Sequence, residues 1–405
     1  MSNLLKEIQA GAAGLAEELV ALRRDFHQHP ELSNEEERTG RKVAGYLENL
    51  GLEVRRGLAG AGVLGILRGA RPGKVVAFRA DMDALPLTEK VDVSWRSRTP
   101  GVMHACGHDF HLSIALGAAK LLTGLRDRLA GEVRFIFQPA EEISSKEEDS
   151  GAARMVAAGV LEDPPVNAVL ALHVAPHLEA GHIWYCQEVV MAGAERLVLT
   201  VTGKAAHGAT PHRGVDAILT AAQFITQLQG VLAQGRDQRR AAVLTFGTIT
   251  GGVRFNILAE QVTLEGSLRY LEEAVRREVL EGARRLAQGL SRATGADIRL
   301  DSRSIYPILK NDPDLAEKAV GVLRRVFEAP RLKKHLPAMG SEDFSYFARK
   351  SPAFYFFLGV RPPGGKGHAL HSPEFNPDEA ALPWGLKAAA GLLACLSEPE
   401  FIWPG

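Results

Sequence analysis

Three short apolar runs, each closing on a cluster of polar residues, constrain this chain more than any other feature. They are "VVAFRADMDALP" (75–86), "VRFIFQPAEE" (133–142) and "AVLALHVAP" (168–176), with the helical stretch "LSIALGAAKLLTGL" (112–125) between the first two. Strand-like runs alternating with helices build a mostly parallel sheet covered by helices, the α/β class. Ligands of such sheets bind outside the carboxyl ends of the strands. The runs deliver Asp81 and Asp83, Glu141 and Glu142, and His173 to that edge. Chemically capable residues from distant sequence therefore converge there.

From about residue 190 the pattern changes. The strand "ERLVLTVTG", the helix "GVDAILTAAQFITQLQGVL", the strands "AAVLTFGTITGG" and "QVTLEGSLRY", a helix from about Glu272 to Ala293 and the strand "DIRLDSRSI" follow one another. This β-α-β-β-α-β order is that of the split ferredoxin-like unit. After about residue 306 the chain returns to helix, then to the buried strand "AFYFFLGV". A last helix follows, for which Asn376 is the expected cap and Pro377 the first residue. A chain of 405 residues exceeds the size at which one hydrophobic core stops growing. The order of elements places a small α+β domain inside a larger α/β one, with 1–188 and 305–405 as the larger domain and 189–304 as the insert.

The 48 basic and 48 acidic residues balance, and no long basic run occurs. The electrostatic footprint of a nucleic-acid or anionic-membrane partner is therefore missing. No stretch reaches the length of uncharged apolar sequence that crosses a bilayer. The opening "MSNLLKEIQAGAAGLAEELVALRRDF" spaces Leu4, Ile8, Leu15, Leu19 and Leu22 on a helical stripe interrupted by Lys6, Glu7, Glu17 and Glu18. It reads as a helix of the mature chain and not as a signal peptide. Cys106, Cys186 and Cys395 are too few for a disulfide framework and favour a reducing compartment. The expected setting is cytoplasmic, with small molecules or other copies of the chain as partners.

The stretch "VMHACGHDFH" (102–111) packs one cysteine and three histidines into ten positions. Cys106 and His108 stand two apart, a spacing at which a loop entering a helix points both side chains at one ion. The same pair supports a second chemistry, a thiol nucleophile activated by histidine, although cysteine hydrolases usually draw that histidine from elsewhere in the chain. A buried cysteine beside a capping histidine is an equally good structural account. Glu141 and Glu142, adjacent where the chain bends out of a sheet, cannot face the same way, so one can ligate a metal while the other handles protons, although the pair taken alone is better read as the start of a solvated loop. His173 at a strand end and His371 in "GHALHSPEFNP" are, singly, a core-edge residue and a loop residue. Convergence changes the weighing, because four separate segments deliver thiolate, imidazole and carboxylate to one region. Together Cys106, His108, Glu142, His173 and His371 can hold two divalent ions that polarise a substrate oxygen and activate water. Glu141 is then left as the base.

Nine motifs, "RRDFHQHPELS", "FRADMDALPLTE", "MHACGHDFH", "QPAEE", "LHVAP", "GKAAHGATPHRGVDAI", "GTITGGVRFN", "GSEDFSYF" and "LHSPEF", occur in this order. By them the chain resembles, over nearly its whole length, the family of metal-dependent aminoacylases and amidohydrolases that includes hippurate hydrolases and plant hydrolases of auxin–amino acid conjugates. The resemblance implies a zinc-peptidase-like catalytic α/β domain with the ferredoxin-like α+β insert as a dimerisation lid. It implies that Cys106, His108, Glu142, His173 and His371 are the ligands of a two-metal centre of manganese, zinc or cobalt, with Glu141 as general base and acid. It implies that His207, in "GKAAHGATPH", reaches into a partner subunit's site to stabilise the oxyanion. Asn256 and Arg269 are implied contacts for the substrate's carbonyl or terminal carboxylate. In more distant relatives a ligand histidine stands at the position of Asp81, two residues before an aspartate like Asp83. Both aspartates are accordingly placed behind the ligands, supporting them. His27 and His29 are assigned structural parts, and so are Glu342 and Asp343, for which a place at the border of the pocket is the alternative.

Two departures from the family pattern stand out. The segment "ISSKEEDSGA" separates the paired glutamates from a Gly-Gly-Ala stretch that relatives reach quickly, and Leu258 in "NILAEQ" replaces a proline. The first is expected to reshape the mouth of the pocket and the second to alter a local turn. The implied reaction is hydrolysis of an N-acyl-L-amino acid, N-acetyl or aromatic acyl, to a carboxylic acid and a free amino acid by a homodimer or dimer-based oligomer. A dipeptidase or carboxypeptidase on the same scaffold, a cysteine hydrolase indifferent to chelators, and a metal-binding scaffold without turnover are the alternatives. The intact Glu141 and His207 argue against the last.

Overall fold

The computed structural model describes residues 2–142, 150–234, 237, 239–327 and 329–400. Their contacts gather the chain into two compact units, one of Met1–Val190, Lys310–Leu336 and Asp343–Gly405, the other of Met191–Leu309 and Pro337–Glu342. The chain opens with α1 (Ser2–Gly14), α2 (Ala16–Gln28), α3 (Glu37–Asn49), β1 (Glu53–Leu58), β2 (Gly62–Arg68), β3 (Arg71–Asp81) and α4 (His108–Thr123). It continues through β4 (Ala130–Gln138), α5 (Gly151–Ala157), β5 (Ala168–Glu179), β6 (Ile183–Tyr185) and β7 (Val189–Met191). The second unit holds β8 (Gly193–Thr202), α6 (Ala217–Gln234), β9 (Ala242–Gly251), β10 (Gln261–Tyr270), α7 (Glu273–Thr294) and β11 (Asp297–Tyr306). The chain ends with β12 (Leu309–Lys310), α8 (Pro313–Val326), β13 (Leu332–Lys334), α9 (Ser345–Ala348), β14 (Ala353–Arg361) and α10 (Leu382–Leu396).

In the larger unit eight strands form one sheet in the order β1-β2-β4-β3-β5-β14-β6-β13. The centre, β4-β3-β5-β14, is parallel. Its strands are buried on both faces, so they read as unbroken apolar runs instead of alternating ones. The flanks depart from the expected mostly parallel sheet. β1, β2 and β4 pair antiparallel, and β6 runs antiparallel to β14. The reason is connection length: β1 and β2 are joined by three residues, and a parallel crossover needs a dozen or more.

Two helices, α4 and α10, pack together and are apolar almost all round, which marks both as core helices. The stretch Glu379–Leu396 is long and apolar enough to cross a membrane by length and composition, but most of it is buried inside this fold. Two sequence-based boundaries need correction. The opening helix is two helices that meet at Leu15, which leaves helical geometry (φ −94°, ψ 1°) directly after Gly14. The last helix is not capped by Asn376. The Asp378 carboxylate instead accepts the Ala380 N–H at 3.0 Å, and a proline lies in the first turn of α10 itself.

In the second unit the strands order as β11-β8-β10-β9, all antiparallel, with α6 and α7 packed on each other. Val275, Val279, Leu280, Ala283, Ala287 and Leu290 give α7 one buried stripe at helical spacing. β9 is an edge strand that leaves Val243 and Ile249 exposed, and α6 exposes Ile218 and Leu219.

Candidate metal centre

The parallel register brings three strand ends side by side. Asp81, the last residue of β3, lies opposite Gln138, the last residue of β4. The pairing of β5 with β3 stops at Ala171, two residues before His173. Beyond β4 the chain turns through Ala140, whose φ is +54°, into Glu141 and Glu142. α4 starts at His108 behind Gly107, whose φ is +85°. A side chain there would begin 2.4 Å from Val174 Cγ2, so both the dihedral and the close approach demand glycine. His371 also has a left-handed backbone (φ +60°), and its N–H donates to the Ala105 carbonyl at 2.9 Å. Left-handed non-glycine residues persist where the surrounding structure holds them, commonly at functional sites.

These turns gather the donors. Cys106, His108 and His173 place ligand atoms within 4.8 Å of one another, and so do Cys106, Glu142 and His371, and His108, Glu141 and Glu142. Cys106 Sγ lies 3.4 Å from His173 Nε2, and His371 Nε2 lies 3.0 Å from Glu142 Oε1. Every member is buried except Glu142, which is partly exposed, and His371, about half exposed.

Hydrogen bonds behind the donors set their lone pairs. His108 Nδ1–H donates to the Asp83 carbonyl at 2.8 Å and lies 3.2 Å from Asp83 Oδ1, while its Nε2 is buried with no hydrogen-bond partner. His173 Nδ1–H donates to the Val174 carbonyl at 2.8 Å, which turns its Nε2 toward Cys106. Asp83 Oδ2 accepts the Ser33 hydroxyl at 2.6 Å and the Glu142 N–H at 2.9 Å. Asp81 accepts from Arg79 at 2.6 Å and from His111 Nδ1–H at 2.6 Å, and His111 Nε2 accepts the Val174 N–H at 3.1 Å. His111 therefore has both nitrogens engaged. Although Asp81, His108 and His111 are also mutually close, they make a poorer ligand set than the three above.

The field is strongly negative. Burial would push the Asp81 and Asp83 carboxyls up, yet the imidazoles around them, with Arg79 on Asp81, hold both below the ordinary carboxylate range. Burial pulls His108 down, but Asp81, Asp83 and Glu142 overcome it and raise it to about 10. Burial first, then Glu142, Glu141 and Asp81, drive the Cys106 thiol well up. A nucleophilic cysteine needs the opposite environment, which counts against a cysteine hydrolase even though His173 lies beside the thiol. The donor set fits divalent cations: a buried imidazole nitrogen without a hydrogen-bond partner, a thiol and carboxylates in one negative field, and imidazoles oriented from behind as metal-binding histidines are.

The remaining candidates lie in the second unit. His207 is exposed, and its Nδ1 accepts the Ala209 N–H at 3.1 Å, which leaves Nε2–H as an outward donor. The Gly208 N–H donates to the Asn256 carbonyl at 2.8 Å, joining the two loops. Leu258 adds a bond that the usual proline could not form, from its N–H to the Ala206 carbonyl at 2.9 Å. Arg269 is about half-buried beside Ser267 and Ser341 and has no acidic partner among the described residues. The longer loop after Glu142 falls, for residues 143–149, outside the described residues.

Sequence reasoning did not single out Arg79, His111, Ser33 or Glu36. His111 had a signal, since it follows His108 by three residues on one helix face. Ser33 and Glu36 act across long sequence separations and had none, and Arg79, though two residues from Asp81, is one arginine inside a strand run.

Residues 77–394 match peptidase family M20/M25/M40. The chain is 35% identical over 391 residues to thermostable carboxypeptidase 2 of Saccharolobus solfataricus, covering 96% of this chain and 98% of that protein. It is 37% identical over 361 residues to an N-acyl-L-amino acid amidohydrolase of Geobacillus stearothermophilus, covering 88% and 94%. It is also similar to a solved Bacillus subtilis structure described as a dinuclear metal-binding peptidase from the M20 family, with a TM-score of 0.83, 32% identity and coverage of 96% and 100%.

Proposed function

The chain belongs to peptidase family M20/M25/M40 and is a hydrolase of that family, and from this premise we propose that it releases free amino acids from N-acyl-L-amino acids. The observation that carries the reading is Glu141 standing beside two donor triads that share Cys106. Cys106, His108, Glu142, His173 and His371 would hold two divalent ions, manganese, zinc or cobalt. When bound, these supply Lewis-acid polarisation of the substrate carbonyl.

The chain's own residues do the rest. Glu141 takes a proton from the attacking water as its oxygen bonds to the carbonyl carbon. It returns that proton to the nitrogen as the C–N bond breaks, which yields a carboxylic acid and an amine. Asp83 and Asp81 hold His108 and His111 in their tautomers. His207 presents Nε2–H to the oxyanion from a partner subunit, Asn256 contacts the carbonyl, and Arg269 pairs the substrate's terminal carboxylate through its planar fork. In this reading 1–188 and 305–405 form the catalytic domain and 189–304 a dimerising lid. The exposed Val243 and Ile249 of the β9 edge support that role. Three free, buried cysteines support a cytoplasmic setting.

A carboxypeptidase or dipeptidase is the second reading, favoured by the similarity to a thermostable carboxypeptidase. The two differ in whether the substrate's amino terminus is acylated or free. Chelator-stripped protein, given pooled N-acyl amino acids and dipeptides with and without manganese or zinc, separates them by mass spectrometry of the released amino acids. Metal-dependent release from acylated members is expected. Release from dipeptides alone moves the assignment to peptidase, and no release under any metal leaves a metal-binding scaffold.

A further inference from the structure

Glu141 stands between two backbone amides, each gripped by a buried carboxylate from elsewhere in the chain. The Glu142 N–H donates to Asp83 Oδ2 at 2.9 Å, and the Ala140 N–H donates to Glu36 Oε1 at 2.7 Å. Glu36 is 0% exposed, and its Oε2 is buried with no hydrogen-bond partner. Folding leaves an acceptor unsatisfied only at a cost, so such a group calls for an explanation.

The segment around Glu36 is itself tied down. The Glu31 carboxylate accepts the N–H groups of Arg38 and Thr39 at 2.8 and 2.7 Å, and the Glu31 carbonyl accepts the Ala84 N–H at 2.8 Å. The Ser33 hydroxyl donates to Asp83 at 2.6 Å. One anchored turn thus reaches the supports on both sides of Glu141. The bond from Ala140 matters because an alanine at φ +54° does not hold that conformation by its own preference.

We propose that Glu36 is a positioning residue for Glu141: its Oε1 holds the Ala140 amide in the left-handed turn from which the Glu141 and Glu142 pair leaves the sheet. This rests on the reading of Glu141 as the proton carrier.

The test compares Glu36→Ala and Glu36→Gln with Glu141→Gln. Glu36→Ala is expected to lower kcat by about 10- to 100-fold with KM within about threefold, the scale of a misplaced catalytic group. Glu36→Gln keeps a carbonyl oxygen for the Ala140 amide and should return kcat to near wild type. In metal-free protein the Ala140 amide should exchange its hydrogen at least about tenfold faster in Glu36→Ala. Wild-type turnover in Glu36→Ala, equal impairment of both variants, or unchanged exchange would each overturn the proposal. Should Glu36→Ala not fold, Glu36→Asp, one methylene short of the amide, must show the same loss and the same faster exchange, and wild-type behaviour there overturns it. Wild-type turnover in Glu141→Gln sinks the reading of Glu141 instead, since the exchange measurement reports the Glu36 grip on its own.

Discussion

Replacing Glu141 by glutamine removes a proton carrier and leaves the proposed ligands in place. Metal content, read by atomic emission, should be unchanged while kcat falls by about 10²- to 10⁴-fold. Loss of metal together with activity would instead make Glu141 a ligand. A second expectation follows from charge. In the metal-free chain His108 is raised to about 10 and the Cys106 thiol is also raised, so near pH 7 both carry protons that a bound cation must displace. Manganese or zinc uptake should release protons, and affinity should strengthen as pH rises toward those raised values. Calorimetry in buffers of different ionisation enthalpy checks this, and a heat independent of buffer would refute it. Cys106, His108, Glu142, His173 and His371 were visible in the sequence because each sits in a short motif of chemically unusual residues. Glu36 was not, because its role lies in a bond to a residue 104 positions away, and Arg79, buried in an apolar run, shows its role only once Asp81, Gln138 and Asp343 are gathered around it.

The start of α4 shows what local sequence conveys about an element and what it does not. The apolar run from Leu112 announces a helix, but that helix begins four residues earlier, in a polar first turn of His108 and Asp109. Asp109 is polar for a reason outside its own helix. Its carboxylate accepts from Arg23 at 2.8 Å and lies 2.8 Å from His27 Nδ1, joining α4 to α2. Gly107 in front of it allows a sharp test. Gly107→Ala adds the left-handed penalty of about 1–2 kcal/mol to overpacking against Val174 of about 1–3 kcal/mol. Urea unfolding should therefore show a loss of about 2–5 kcal/mol, and a change within 0.5 kcal/mol would mean that the helix start can shift to make room. The parallel centre was legible because strands buried on both faces read as apolar runs. The antiparallel flank was not, since three of the six residues of β1 are charged and four are exposed, which gives no such run.

For the whole molecule, the exposed apolar edge of the second unit carries the oligomeric expectation. If copies of the chain pair through this edge, Ile249→Glu should leave a monomer in sedimentation. If His207 acts across subunits, activity should fall with it, and a fully active monomer would remove that role. The changes of texture near residues 190 and 306 fall close to the ends of Met191–Leu309, because a switch of element order is a property of long stretches, whereas the return of Pro337–Glu342 to the second unit left no such signal. The same construction places β14 beside β5, although β14 begins at Ala353 and β5 ends at Glu179. At ribosomal speeds of about 5–20 residues per second, the newly made β5 waits roughly 9–35 s for its neighbour. Throughout that interval an apolar strand edge stands open on the nascent chain. Ribosome-bound chains stalled before residue 353 should therefore be cut by protease near β5 and engage holding chaperones, and the edge should close only when β14 itself has emerged.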